Sequence, residues 1–225
     1  LKRPGMPASP YRRLDAGAIG SLAAGYPTQL WPPDDPRLLD TVEFLLQRCF
    51  VKDAFYQDMI HSGLNAYLTL HVAQVLLRAQ DPRYLTLMDA VAGLASPTGQ
   101  WPEAIHPATG GGCMGDGHHV WAAAEWLLMI RNCFVREEDQ RLVLCSGVPG
   151  RWLMSGAPVR FGPAPTSFGN ISIDIVTDAA HSVVVNWQAD WHNDTPPVLD
   201  IALPGYQAVT AAAAQGAVTL HRLET

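Results

Sequence analysis

The chain has 225 residues, 48% of them hydrophobic and 16% charged, a length that suits one large domain or two small ones. Its 19 glycines and 18 prolines stay below the share of roughly 25–30% that marks low-complexity chains, so disorder and collagen are excluded. A formal net charge of −6, from 15 basic and 21 acidic residues, offers no electrostatic footprint for nucleic acid.

In chain order, residues 16–24 are expected to form a short helix ending at the Gly25-Tyr26-Pro27 turn. A second helix follows Asp34-Asp35-Pro36, an acidic N-terminus with proline in the first turn, and Leu38, Leu39, Val42, Leu45, Leu46 and Cys49 line one face of it. Residues 62–79 read as a helix that is apolar nearly all round and therefore buried on most sides. Asp81 and Pro82 open another helix over 82–94, as cap and first residue. A further helix over 118–133 has Val120, Trp121, Ala124, Leu127, Leu128 and Ile130 apolar, with Trp121 and Trp126 read as core.

Beyond Arg141 the apolar period becomes two. Ile171, Ile173 and Ile175, and then Val183, Val185 and Trp187, alternate with polar or smaller residues, and Asp178-Ala-Ala-His181 reads as the tight connection between two strands. Residues 198–203 and 218–223 read as further strands, and Pro196-Pro197, Pro204-Gly205 and Gln215-Gly216 as punctuation. Trp187 and Trp191 are candidates for a carbohydrate-binding surface, although aromatics in such a strand more often pack on the neighbouring domain. The expected organisation is a helical region over 1–140 and a small β-domain over 141–225.

No apolar run approaches the roughly 20 residues that a membrane span needs. Leu1 is not an initiator methionine and the residues after it do not resemble a secretory signal, so the chain is expected to begin after processing or within a longer protein. Cys49, Cys113, Cys133 and Cys145 are scattered without a CxxC pair, the pattern of reduced thiols, and the expected compartment is cytoplasmic.

One connection stands apart. Residues 95–117 hold Trp101, Ile105, Met114 and a dense set of glycines, and a loop longer than about 12–15 residues in a compact domain is usually functional. Glu103, between Trp101-Pro102 and Ala104-Ile105, has the apolar neighbours that suit a carboxyl to acid/base work, and an aromatic beside a carboxylate furnishes sugar sites. His106, Cys113, His118 and His119 match no common zinc spacing, so no metal and no other cofactor is expected. The glycines lack the Lys-Ser/Thr of a P-loop, and Asp116 among them is either a cap or a substrate contact.

Gly99-Gln-Trp-Pro-Glu-Ala-Ile-His-Pro107, followed by Met114-Gly-Asp-Gly-His-His-Val-Trp-Ala-Ala-Ala-Glu-Trp126, resembles the last catalytic loop and closing helix of the six-hairpin glycosidases. These are (α/α)6-barrel enzymes of glucoamylase and glycogen-debranching type. Asp15-Ala-Gly-Ala-Ile-Gly-Ser21 and the segment 25–37 resemble an earlier helix–loop–helix of such barrels. A barrel of twelve helices would occupy nearly the whole chain, and about five are read here. The resemblance therefore implies the C-terminal portion of an (α/α)6 barrel followed by a small β-sandwich-like domain, with the N-terminal half of the barrel as partner.

The function implied is glycoside hydrolysis, inverting, with Glu103 as general base and the acid partner upstream of this chain. Trp31 and Trp101 would stack on sugar rings. Asp34 or Asp35, His61, His106, Asp116, His118 and His119 are candidates for hydroxyl contacts, and Asp34 and Asp35 serve equally as helix caps. The expected partner is a carbohydrate substrate, with no nucleic acid and no membrane. A glycoside phosphorylase, with phosphate bound by the glycine loop and His118 and His119, is one alternative. A catalytically inert carbohydrate-binding half-barrel is the other.

Overall fold

The computed structural model describes residues 14–58, 62–115, 117–177 and 182–223. Six α-helices and thirteen strands are found among them, the strands forming three sheets. The chain divides into two compact units, Leu1–Met129 and Ile130–Thr225.

The first unit holds α1 (Leu14–Ser21), a 3-10 turn (Leu22–Ala24), α2 (Pro36–Arg48), β1 (Phe50–Val51), β2 (Ala54–Gln57), β3 (Gly63–Leu64), α3 (Ala66–Arg78), α4 (Arg83–Gly93), β4 (Ala104–Ile105), β5 (Gly112–Met114) and the start of α5 (Val120–Phe134). Helix α2 begins as its residues dictate: Asp35 is the N-cap, its carboxylate accepts the Arg37 N–H at 2.9 Å, and Pro36 fills the first turn. Helix α3 is buried on nearly every side, and it packs on α4.

Strands β1 to β5 follow one another in a single antiparallel sheet. Residue Thr69 fastens that sheet to α3. Its hydroxyl accepts the Phe55 N–H of β2 at 2.9 Å and donates to the Asn65 carbonyl at 2.7 Å, and the Asn65 N–H in turn donates to the Phe55 carbonyl. Residue Gly63 is required where β3 meets its neighbours, because a Cβ there would lie 2.9 Å from Cys113 Sγ and 3.0 Å from Ala104 Cβ.

The second unit begins with β6 (Val135–Glu138), β7 (Arg141–Leu144), the single turn α6 (Gly150–Leu153) and the long strands β8 (Val159–Thr166), β9 (Gly169–Thr177) and β10 (Val183–Trp191). Strands β11 (Val198–Ile201), β12 (Val209–Ala211) and β13 (Gln215–Leu220) complete it. One sheet has the order β13-β10-β9-β8 and is antiparallel; the other, β12-β11-β7-β6, is mixed, with β11 parallel to β7. Alternation along β9 and β10 buries Ile171, Ile173, Ile175, Val183, Val185 and Trp187.

The fold class expected from the sequence is corrected here. The chain is mixed, a helix-rich region followed by a strand-rich one, and not a run of barrel helices ahead of a simple sandwich. Five strands lie among the helices of the first unit. They are two to four residues long, too short to display an alternating pattern. The helix expected over 62–79 begins at Ala66, because Gly63 and Leu64 pair with β2 and β4.

In the second unit, β8 escaped notice because Pro163 and Pro165 break its pattern, which an edge strand tolerates. Gln215 and Gly216 belong to β13 and do not punctuate it. The Trp187 ring lies on Gly216, where a Cβ would come within 2.4 Å of Cζ2. Residues 178–181, read as the β9–β10 connection, lie outside the described residues. No described helix is long and apolar enough to cross a membrane.

Candidate functional site

Two helices and the loop before β4 supply the site. Tyr67 and His71 lie one turn apart on α3 and so share a face, as do Trp121 and Glu125 on α5. His119 precedes α5, and its N–H donates to the Trp101 carbonyl at 2.8 Å, which ties the start of α5 to the loop carrying Glu103.

Glu103 is delivered by register. Strand β3 runs antiparallel to β4 with Leu64 opposite Ile105, so the chain leaving Leu64 toward Tyr67 passes the residues that precede Ile105. Glu103 is half-buried. Its charge is felt at Tyr67, whose hydroxyl is pushed up to about 12, first by burial and then by this carboxylate. Tyr67 is therefore a neutral hydrogen-bond donor at ordinary pH.

The rings form a continuous ladder. Tyr26 meets His71 edge-on at 5.9 Å, and His71 meets Trp121 at 6.0 Å. Trp121 overlies Tyr67 at 4.5 Å with 32° between planes, and Tyr67 meets His119 at 4.8 Å. Tyr26 and Tyr67 are buried, whereas Trp121 is 49% exposed. A half-open indole backed by a phenol ring presents a flat apolar surface of the kind that packs on the C–H face of a pyranose.

Under this surface lies Glu125, 8% exposed. Its Oε1 is 3.0 Å from His71 Nε2 and accepts from Trp121 Nε1 at 3.4 Å. Its Oε2 is buried without a hydrogen-bond partner, and so is His119 Nδ1.

Of the residues singled out from sequence, Glu103 and His119 fall in this cluster. Trp101, expected as a sugar wall, is placed in the core: it is 5% exposed, its N–H donates to the Val91 carbonyl at 2.9 Å, and its ring packs on Trp126 at 5.5 Å. Trp31 is half-buried, with the Arg37 guanidinium 3.7 Å over its ring. Asp35 is the α2 cap and pairs with Arg37 at 2.7 Å, which holds its carboxyl below the usual range; Asp34 is exposed.

His106 is exposed and its Nδ1 accepts the N–H groups of Ala108 and Thr109, organising the β4–β5 turn. His118 is exposed. His61 and Asp116 lie outside the described residues. Part of the glycine-rich stretch enters strand β5, so Gly112 serves the sheet, where a Cβ would lie 3.0 Å from Pro102 Cβ.

Among the described residues no three His, Cys, Asp or Glu side chains converge to hold a metal ion. None of the four cysteines is in a disulfide, and burial pushes the Cys133 thiol up to about 12 and the Cys145 thiol higher still.

Tyr26, Tyr67, His71 and Glu125 are not among the site residues expected from the sequence, which reads Tyr67 as part of a buried apolar helix and Trp121 as core. A signal existed: Glu125 is a charge inside an apolar helical run, one turn from a tryptophan. Glu125 lies on the buried face of α5 with Ala122 and Met129, whereas Val120, Leu127 and Leu128 are exposed. No family model matches the chain, and neither a curated protein nor a solved structure matches it.

Proposed function

We propose that the chain acts in glycoside hydrolysis, with Glu103 as the general base that deprotonates the attacking water. The observation that carries this reading is the half-exposed Trp121 stacked on Tyr67 at 4.5 Å, with the Glu103 carboxylate close enough to raise the Tyr67 hydroxyl. A sugar ring laid on the indole would have a flat apolar floor, a neutral phenol donor and a carboxylate at its side. A partly desolvated carboxylate at the edge of an aromatic surface is suited to take a proton from water. In an inverting reaction the proton donor to the leaving oxygen stands about 6.5–9.5 Å from the base, across a bound water.

The test is hydrolysis of a panel of α- and β-linked glucose oligosaccharides by wild type and Glu103→Gln, with reducing ends quantified and the product anomer followed by NMR. The variant is expected to fold as wild type and to lose about 10²–10⁴-fold in turnover. Turnover within a few-fold of wild type would remove Glu103 from catalysis. Sugar binding without hydrolysis would leave a carbohydrate-binding module, and product formation that requires added phosphate would make the reaction a phosphorolysis.

A further inference from the structure

The described residues hold a buried carboxylate that the general-base reading does not use. Glu125 sits within α5, 8% exposed, with one oxygen shared by two ring nitrogens and the other bare. A buried unpartnered carboxylate oxygen opposes folding, since the water it loses is not replaced. An aliphatic residue would suit that position better if stability were its only purpose. The two bonds it does make both orient rings of the ladder. Oε1 takes the Trp121 N–H at 3.4 Å, fixing the indole in its plane, and lies 3.0 Å from His71 Nε2, fixing the ring that meets Trp121 edge-on at 6.0 Å.

We infer that Glu125 is a positioning residue, which holds the Trp121 indole over Tyr67 as a fixed floor for a sugar ring. It does not act on the sugar directly: Oε1 is already engaged, and Oε2 has no surface open to a ligand. An exposed tryptophan has several rotamers, and freezing one of them before the ligand arrives removes that ordering cost from binding. This inference rests on the carbohydrate reading of the site, and it concerns binding, not turnover.

The experiment follows the Trp121 indole N–H resonance of the whole chain, assigned through Trp121→Phe, while maltotetraose and then cellotetraose are added. In wild type one of these sugars is expected to shift the resonance. In Glu125→Met, which removes both carboxylate oxygens at similar volume, the wild-type resonance position is lost, sugar affinity falls about tenfold, and the thermal midpoint stays equal or rises. Glu125→Gln, whose amide oxygen still accepts the Trp121 N–H, is expected to keep the affinity within about threefold, and Glu125→Leu serves as the second variant if Glu125→Met does not fold.

A lower thermal midpoint in Glu125→Met with unchanged affinity assigns Glu125 to the core and overturns the inference, as does a Trp121 resonance that neither sugar moves. Loss of affinity in Glu125→Gln to the level of Glu125→Met also overturns it. A sugar that shifts Trp121 but is never hydrolysed overturns the hydrolase reading and leaves this inference standing.

Discussion

Tyr67 reports on the placement of Glu103 without any substrate. Its hydroxyl is raised from 10.0 to about 12 by burial and, secondarily, by the Glu103 charge. Unfolded, Tyr67 gives up its proton near pH 10; folded, it keeps that proton until about pH 12. Its contribution to stability is therefore complete below pH 10 and is lost as pH rises through the folded value. At about 1.4 kcal/mol for each pH unit, the loss over that window approaches 2.7 kcal/mol.

Urea unfolding of wild type and Tyr67→Phe at pH 9 and pH 11.5 isolates this contribution, because every other alkaline titration is common to the two proteins. Wild type is expected to lose about 2 kcal/mol more than the variant between these two pH values. Absorbance at 295 nm, taken as wild type minus Tyr67→Phe, follows the phenolate directly. In Glu103→Gln its midpoint is expected to fall but to remain above 10, since burial is the larger cause. Equal losses in wild type and Tyr67→Phe, or a phenolate midpoint unmoved by Glu103→Gln, would refute the placement of the carboxylate beside this ring.

Two further predictions separate packing from function. Trp101→Phe removes the indole N–H bonded to the Val91 carbonyl and part of a buried ring, and is expected to cost about 2 kcal/mol in urea unfolding while leaving sugar affinity unchanged; weaker binding at full stability would restore Trp101 as a sugar wall. Thr69→Val leaves the Phe55 N–H buried without a partner and should cost about 2 kcal/mol. It should also speed hydrogen exchange at Phe55, and a variant as stable as wild type would show that β2 is not held to α3 in this way.

The helices of the first unit were legible because each carries its own local signal. The cap at Asp35, the proline after it and the spacing of Leu38, Val42 and Leu45 act within a turn or two. The strands β1 to β5 were not, because two to four residues cannot show a period. Their pairing depends on features that emerge only in three dimensions, such as the Thr69 hydroxyl reaching Phe55 and the absence of a Cβ at Gly63. The candidate site divides in the same way. Glu103 could be singled out because its local neighbours are apolar, whereas Tyr67, His71 and Glu125 become a group only when α3 and α5 lie side by side. Trp101 misled for the opposite reason: an indole next to a carboxylate in sequence pointed into the core and gave its N–H to Val91.

The two carboxylates of the cluster are placed by unlike devices, and this bears on how each tolerates change. Glu103 depends on the β3–β4 pairing, because it directly precedes β4 and Leu64↔Ile105 fixes where that strand begins. Glu125 depends on helix phase, four residues after Trp121, and on the tie from His119 to the Trp101 carbonyl that fixes where α5 begins. That tie also spans the two devices, since Trp101 lies two residues before Glu103. The loop thus sets the carboxylate beside Tyr67 and the starting point of the helix that carries the indole. Strand, loop and helix thus converge on Tyr67, where the Glu103 charge is felt and the Trp121 ring packs.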